Sequence, residues 1–159
     1  MTDDIRAPGW DAITEACRTL YGDAEPMHWG VAIPWFLGGP DPLQGVSAYN
    51  AGDAWHYVSY GLTELYEKNQ DDPEVSGYGF ELSFRIRKEV SEPPIWPVNL
   101  LQNLARYVFQ TGNVLEAGDY MPFNGPIASD EATTLVGGLF VEDASLPEMV
   151  SDNGRAAFR

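Results

Sequence analysis

Cysteine, histidine and basic residues are what this chain has least of: one Cys, two His and nine Lys or Arg among 159 residues. The single thiol, Cys17, has no partner for an internal disulfide, which agrees with a reducing compartment. With only His28 and His56 to join it, none of the zinc spacings is present, and any metal would rest mostly on carboxylates. No Gly-x-Ser-x-Gly elbow occurs, so no strained nucleophile turn is written into the chain. There is also no run of about 18 apolar residues and no basic-then-apolar leader. The expectation is a cytoplasmic protein without a metal or other cofactor. Twenty-four acidic residues against nine basic ones give a net charge of -15 and a pI near 4.2. Such a field repels nucleic acid and anionic lipid, which sets both aside as partners, and it speeds encounter with a basic protein. Acidity can equally do no more than keep a protein soluble.

What is present is material for a core: 44% hydrophobic and 13% aromatic residues. A single domain of this length buries roughly two thirds of its unfolded surface. Its organising stretch is Ser76 to Arg87, in which Phe80, Leu82, Phe84 and Ile86 alternate with Glu81, Ser83, Arg85 and Arg87. Period two predicts one continuous strand with an apolar face inward and Glu81 on the charged outer face. Gly77 and Gly79 permit a bulge at its start, and a Gly-x-Gly that precedes a strand is no nucleotide loop.

Upstream, residues 1–8 form a polar lead. Trp10, Ile13, Cys17, Leu20 and Tyr21 then fall at helical spacing, with Asp11 in the first turn and Gly22 as the stop. A helix over 9–21 follows, with Cys17 as a small core residue on its apolar stripe rather than a nucleophile. His28 to Leu37 reads as a strand interrupted by Pro34, and Gly38-Gly39-Pro40-Asp41-Pro42-Leu43 as a rigid structural turn. Val46 to Tyr49 and Trp55 to Leu62 are two strands joined through Asn50-Ala51-Gly52-Asp53. The second has aromatics on both faces, which predicts a central strand covered on both sides, with His56 as a hydrogen-bonded structural residue. A second helix runs from about Val98 to a stop at Gly112. Thr133 to Val141 reads as a strand with Gly137-Gly138 at its middle. Asn153-Gly154 signals a hairpin turn with only Arg155 to Arg159 after it, so the chain reads as cut short within a strand. The order predicts an α+β fold: one domain over 9–159, a mixed and mostly antiparallel sheet packed with two main helices, apparently stopping short at the C-terminus.

Four stretches in order resemble the Suppressor of fused domain. They are Leu37-Gly38-Gly39-Pro40-Asp41-Pro42-Leu43, then Trp55-His56-Tyr57-Val58-Ser59-Tyr60-Gly61-Leu62-Thr63-Glu64-Leu65-Tyr66, then Gly77-Tyr78-Gly79-Phe80-Glu81-Leu82-Ser83-Phe84-Arg85, and Trp96-Pro97 with Leu104-Ala105-Arg106-Tyr107-Val108-Phe109-Gln110. The resemblance implies an α+β domain that acts by binding protein, without catalysis. In the animal member the domain is one lobe of a two-lobed clamp on a Gli peptide; with no second lobe here, that activity is not carried over. Stand-alone bacterial relatives include immunity proteins that neutralise polymorphic toxins, which makes a basic toxin domain the expected partner. Tyr66 matches a tyrosine of the animal protein's peptide-binding face, and Asp71, Asp72 and Glu74 are candidates as its neighbours. Tyr60 and Trp55 complete the expected set of aromatic anchors, with core packing as the competing reading for each aromatic. Two rival functions stay open: a scaffold or regulator bound to an endogenous protein, and an enzyme using two carboxylates that converge in a cleft with separated pKa values.

Overall fold

The computed structural model describes residues 5–66, 74–122 and 137–159. The first helix, α1, spans Pro8–Tyr21, with proline in its first turn, Asp11 near the positive end of the dipole and Gly22 beyond its last residue. Ala7 offers no side-chain cap. Instead the Gly9 and Trp10 N–H groups both donate to the Leu65 carbonyl at 3.1 Å, so the chain some 55 residues on supplies the missing acceptor. Strand β1, Met27–Gly30, is shorter than expected because the chain turns into Pro34 and a 3-10 turn, Trp35–Leu37. Next come β2 (Gly45–Asn50) and β3 (Ala54–Tyr60), whose connection is fastened by a Gly52 N–H bond to Asn50 Oδ1 at 3.1 Å.

The stretch expected as one strand is two: β4 (Val75–Glu81) and β5 (Ser83–Arg87), in different sheets. Gly77 and Gly79, at φ 55° and 83°, and a register shift between Val75 and Phe80 bend the chain, and Leu82 is the joint between the two sheets. Helix α2, Trp96–Thr111, ends at Gly112 in the left-handed region. Its Gln102 brackets the Leu43 backbone with two hydrogen bonds, and Arg106 pairs with Asp41 at 2.6 Å, so the glycine-proline loop is the structural turn expected. Strands β6 (Tyr120–Pro122), β7 (Gly137–Leu139), β8 (Met149–Ser151) and β9 (Gly154–Phe158) follow. Residues 133–136 of the strand expected over 133–141 lie outside the described residues, and the described part ends at Leu139.

One sheet runs β1-β2-β3-β5, antiparallel throughout. A second runs β4-β9-β8, with β9 parallel to β4 and antiparallel to β8, and β6 pairs with β7. The last strand is therefore the middle of its sheet, closing on a strand met some 75 residues earlier. Two core clusters flank β3. Trp55 and Tyr57 belong to the cluster packed with α2; Val58 and Tyr60 belong to the one packed with α1.

The α1 attachment yields a test. A Cβ on Gly9 would lie 1.9 Å from the Glu64 carbonyl oxygen, a contact with backbone that no rotamer relieves. Gly9→Ala is expected to cost about 2 kcal/mol, lowering the thermal midpoint by roughly 6 °C in a circular-dichroism melt.

Candidate protein-binding surface

The segment Gly61 to Tyr66 is laid down around one carboxylate. Glu81, with no exposed surface, accepts hydrogen bonds from Ser59 Oγ, from the backbone N–H of Gly61, Leu62 and Thr63, and from Thr63 Oγ1, at 2.6–3.1 Å. The strand alternation had put this side chain in solvent. It is inside because the turn after β3 presents three backbone donors with no strand partner, and a buried carboxylate satisfies all of them at once. Burial pushes its carboxyl above the usual range, opposed by the hydrogen bonds from Thr63 and Ser59.

Further on, Asn153 Nδ2 donates to the Glu64 carbonyl at 2.8 Å and to the Tyr66 carbonyl at 2.7 Å, and the Glu64 N–H donates to Ser76 Oγ at 3.0 Å. Leu65 is held by α1 as described. Tyr66 is thus delivered by a backbone tied down from both sides, at the end of the sheet where β4 and β9 begin and β8 ends. Its side chain is 45% exposed.

That end of the sheet carries two exposed valines on its outer face, one on either side of the exposed Arg155. Val75, Arg155 and Val150 are directly opposite one another across β4, β9 and β8, so they share a face. Val75 is 42% and Val150 71% exposed, large values for valine in the sheet that carries the turn. Glu74 is exposed beside them, and Asp152 pairs with Arg6 at 2.9 Å at the hairpin tip. Tyr66 and Glu74 are thus both tied by their carbonyls to the β8/β9 hairpin, Tyr66 to Asn153 Nδ2 and Glu74 to the Arg155 N–H, at the sheet end that carries Val75 and Val150, which the sequence reading missed. Only the Asn153-Gly154 turn signal could have placed Val150, since the parallel β4/β9 pairing has no local signature. Asp71 and Asp72 lie outside the described residues.

Two of the expected anchors are corrected. Trp55 is 7% and Tyr60 2% exposed, because β3 is central and its two faces are covered by α2 and α1. Tyr60 packs against Trp10 in a tilted pair with ring centroids 4.5 Å apart, and Trp55 lies under the Lys88 ammonium at 4.7 Å. Neither side chain reaches a docked partner.

Of the other groups considered for chemistry, His56 and Cys17 are buried, Asp143 is half-buried and His28 is exposed. His56 is fully buried, with Nδ1 2.6 Å from the Tyr21 hydroxyl and Nε2 3.0 Å from Asp143 Oδ2. Asp143 also accepts from Ser83 Oγ and from the Ser145 N–H and hydroxyl. Burial pushes the Asp143 carboxyl up, yet the bonds from His56, Ser145 and Ser83 carry it far below the usual carboxylate range. Asp143 and Glu81 thus have pKa values driven apart, the mark looked for in a carboxylate enzyme. They do not share a cleft: each is saturated by its own protein donors, and Glu81 has no surface from which a substrate could be met. His28, exposed on β1, has its Nδ1 2.8 Å from Ser47 Oγ and its ring edges against those of Trp10 and Tyr60. Burial pushes the Cys17 thiol up to about 11, the opposite of an activated nucleophile. Among the described residues no three of His, Cys, Asp and Glu gather to hold a metal, and no helix is long and apolar enough to cross a membrane.

These features define an α+β domain of a four-stranded, a three-stranded and a two-stranded sheet with two helices, carrying a tethered tyrosine and two exposed valines at one sheet end. The family model for Suppressor of fused protein (SUFU) matches residues 39–158, and the chain belongs to that family. It is 42% identical over 142 residues to the human Suppressor of fused homolog, a match covering 78% of this chain and 29% of the human protein's length. The crystal structure of Drosophila Suppressor of Fused superposes with a TM-score of 0.88 at 31% identity, over 99% of this chain and 43% of that one. The Sufu-Fu complex crystal structure gives 0.86 at 30% identity, over 96% and 74% of the two chains.

Proposed function

We propose that this chain is a non-catalytic protein-binding module that docks through the Tyr66, Val75 and Val150 end of the β4-β9-β8 sheet. The observation that carries this reading is the pairing of a firmly held backbone with exposed apolar side chains: rigid aromatic and aliphatic anchors lose little entropy on binding. A relative 30% identical over 96% of this chain is seen in a Sufu-Fu complex, which supports a protein partner. The finer reading is an immunity protein that occludes a polymorphic toxin. A charge of -15 complements the basic cleft of a nuclease-type toxin, with Glu74 described on this surface and Asp71 and Asp72 candidates as neighbours of Tyr66 in sequence.

The test is affinity capture from lysate of the source organism at low and high salt, repeated with Tyr66→Ala and Val150→Lys. Both changes are at exposed positions, so unaltered thermal midpoints are expected together with binding at least about tenfold weaker. Steering by charge further implies an association rate that falls steeply with salt. If the captured protein is toxic when expressed alone and wild-type chain relieves it, immunity stands. A harmless endogenous partner selects the regulator reading, which the Fu-bound relative favours. Variants that bind like wild type remove this surface.

A further inference from the structure

β9 is the central strand of its sheet, and Arg155 stands on it with Val75 opposite on β4 and Val150 opposite on β8. Partners across a ladder share a face, so that face reads valine, arginine, valine, all three exposed. An arginine on a central strand is stabilised by an acid directly opposite, and the chain has twenty-four acids from which to supply one. None is opposite Arg155 on either side. Asp152, in the turn that joins β8 to β9, pairs with Arg6 instead. Among the described residues the Arg155 side chain makes no hydrogen bond or ion pair.

The other described cations are nearly all answered. Arg6, Arg18 and Arg106 have carboxylates, Arg85 and Arg159 have a hydroxyl and a carbonyl, and Lys88 lies over the Trp55 ring. Arg87 alone shares the condition of Arg155, and it faces Ala54 rather than large aliphatic side chains. Arginine and tyrosine are enriched among the side chains that carry binding energy, and aliphatic neighbours keep water from them. An unanswered guanidinium between two exposed valines, at the sheet end that carries Tyr66, has the composition of an interface centre.

We propose that this surface recognises an acidic residue set among aliphatic side chains on a partner protein, its carboxylate received by Arg155 and its aliphatic neighbours seated on Val75 and Val150. The inference rests on the docking surface proposed above and adds a sign to it: the charge at the centre of the contact is positive on this chain, while the acidic field of the whole molecule acts at longer range. Guanidinium and carboxylate match through two parallel N–H···O bonds, and the valines exclude water once the surfaces close, which strengthens the pair. Its specificity is set by the alternative, since a partner with lysine at this point leaves two cations buried together. One guanidinium answers one negative charge. A phosphate carries nearly two and is met by clusters of cations, whereas the residues next to Arg155 in the fold, Glu74 and Asp152, are acids. A second copy of the chain would bring fifteen further negative charges to the contact.

The test uses the full chain and a yeast-displayed library of small three-helix domains randomised along one helix, a rigid face of the kind that fits a flat epitope. Clones that bind wild type and lose binding to Val150→Lys or Tyr66→Ala are the ones seated on this surface. They are expected to carry aspartate or glutamate flanked by leucine, isoleucine or valine, and to bind Arg155→Gln at least about tenfold more weakly. Arg155→Glu should abolish their binding, and exchanging a clone's acid for lysine should restore binding to that variant. Thermal midpoints of both Arg155 variants should match wild type, because the exposed side chain makes no bond within the fold. Seated clones that hold Arg155→Gln as tightly as wild type, or that are rich in lysine and arginine, would show that Arg155 only keeps two valines from self-association, and would overturn the proposal. A library yielding no clone sensitive to Val150→Lys or Tyr66→Ala would remove the docking surface itself, and this inference with it.

Discussion

Glu81→Gln is expected to cost about 3–4 kcal/mol, a large share of a total stability of roughly 5–15 kcal/mol. Glutamine has nearly the volume of glutamate, so the effect is not one of packing. It is a matter of donors. Oε1 accepts from Ser59 Oγ and Leu62 N–H, and Oε2 from Gly61 N–H, Thr63 N–H and Thr63 Oγ1. Whichever oxygen becomes an NH₂ group then faces at least one backbone N–H, donor against donor, with no water within reach. Glu81→Ala leaves all five groups without their acceptor and is expected to be worse. Urea denaturation followed by tryptophan fluorescence reads the loss directly. The consequence extends to the surface, because the same turn leads into Tyr66: a variant rescued by low temperature should also show weakened partner binding, though residue 81 lies well inside. A glutamine variant as stable as wild type would mean that the turn is held by Asn153 and Ser76 alone.

Glu81 also marks where the sequence stops being legible. Both helices could be read from spacing and from their glycine stops, since a helix is a local object whose face, start and end are written within some fifteen residues. The β2/β3 hairpin and the covering of β3 on both faces could be read for the same reason. Period two in residues 80–87 was real, but it says only that side chains alternate, not that both faces belong to one sheet. The switch at Leu82 depends on β9 arriving in parallel from the far end of the chain. Partners of Glu81 lie 18 to 22 residues back in a turn whose donors are backbone groups, invisible in residue identities. The exposed face followed suit: Tyr66 and Glu74 were visible as a polar and aromatic neighbourhood, whereas Val75 and Val150 share a face only through Arg155 of β9. Trp55 and Tyr60 were misplaced because an aromatic on a strand carries the same letter whether it anchors a partner or a core.

Asp143→Ala is expected to cost about 3 kcal/mol, since it strips a buried histidine of its acceptor and frees Ser83 and Ser145 at the same time. The more discriminating variant is Asp143→Asn, read against pH. In the folded protein the Asp143 carboxyl titrates below its ordinary value of 3.8, so it binds fewer protons there than in the unfolded chain. Its stabilisation is complete above the unfolded value and is lost as pH falls through that value toward the folded one. Glu81 has the opposite sign. Its folded pKa lies above the ordinary 4.5, so its contribution is complete below that value and is lost as pH rises through the folded pKa. Wild type sums the two, and the asparagine variant keeps only the second. Thermal midpoints taken between about pH 6 and pH 3 should therefore fall less steeply for Asp143→Asn than for wild type, and the gap between the two proteins should narrow as the acid end is approached. Parallel curves would show that the His56 contact stabilises as an ordinary neutral hydrogen bond, with no charge held on Asp143. That outcome would also reduce the Tyr21, His56 and Asp143 chain to packing, because a histidine facing a neutral acid gains nothing from the arrangement that a glutamine could not supply.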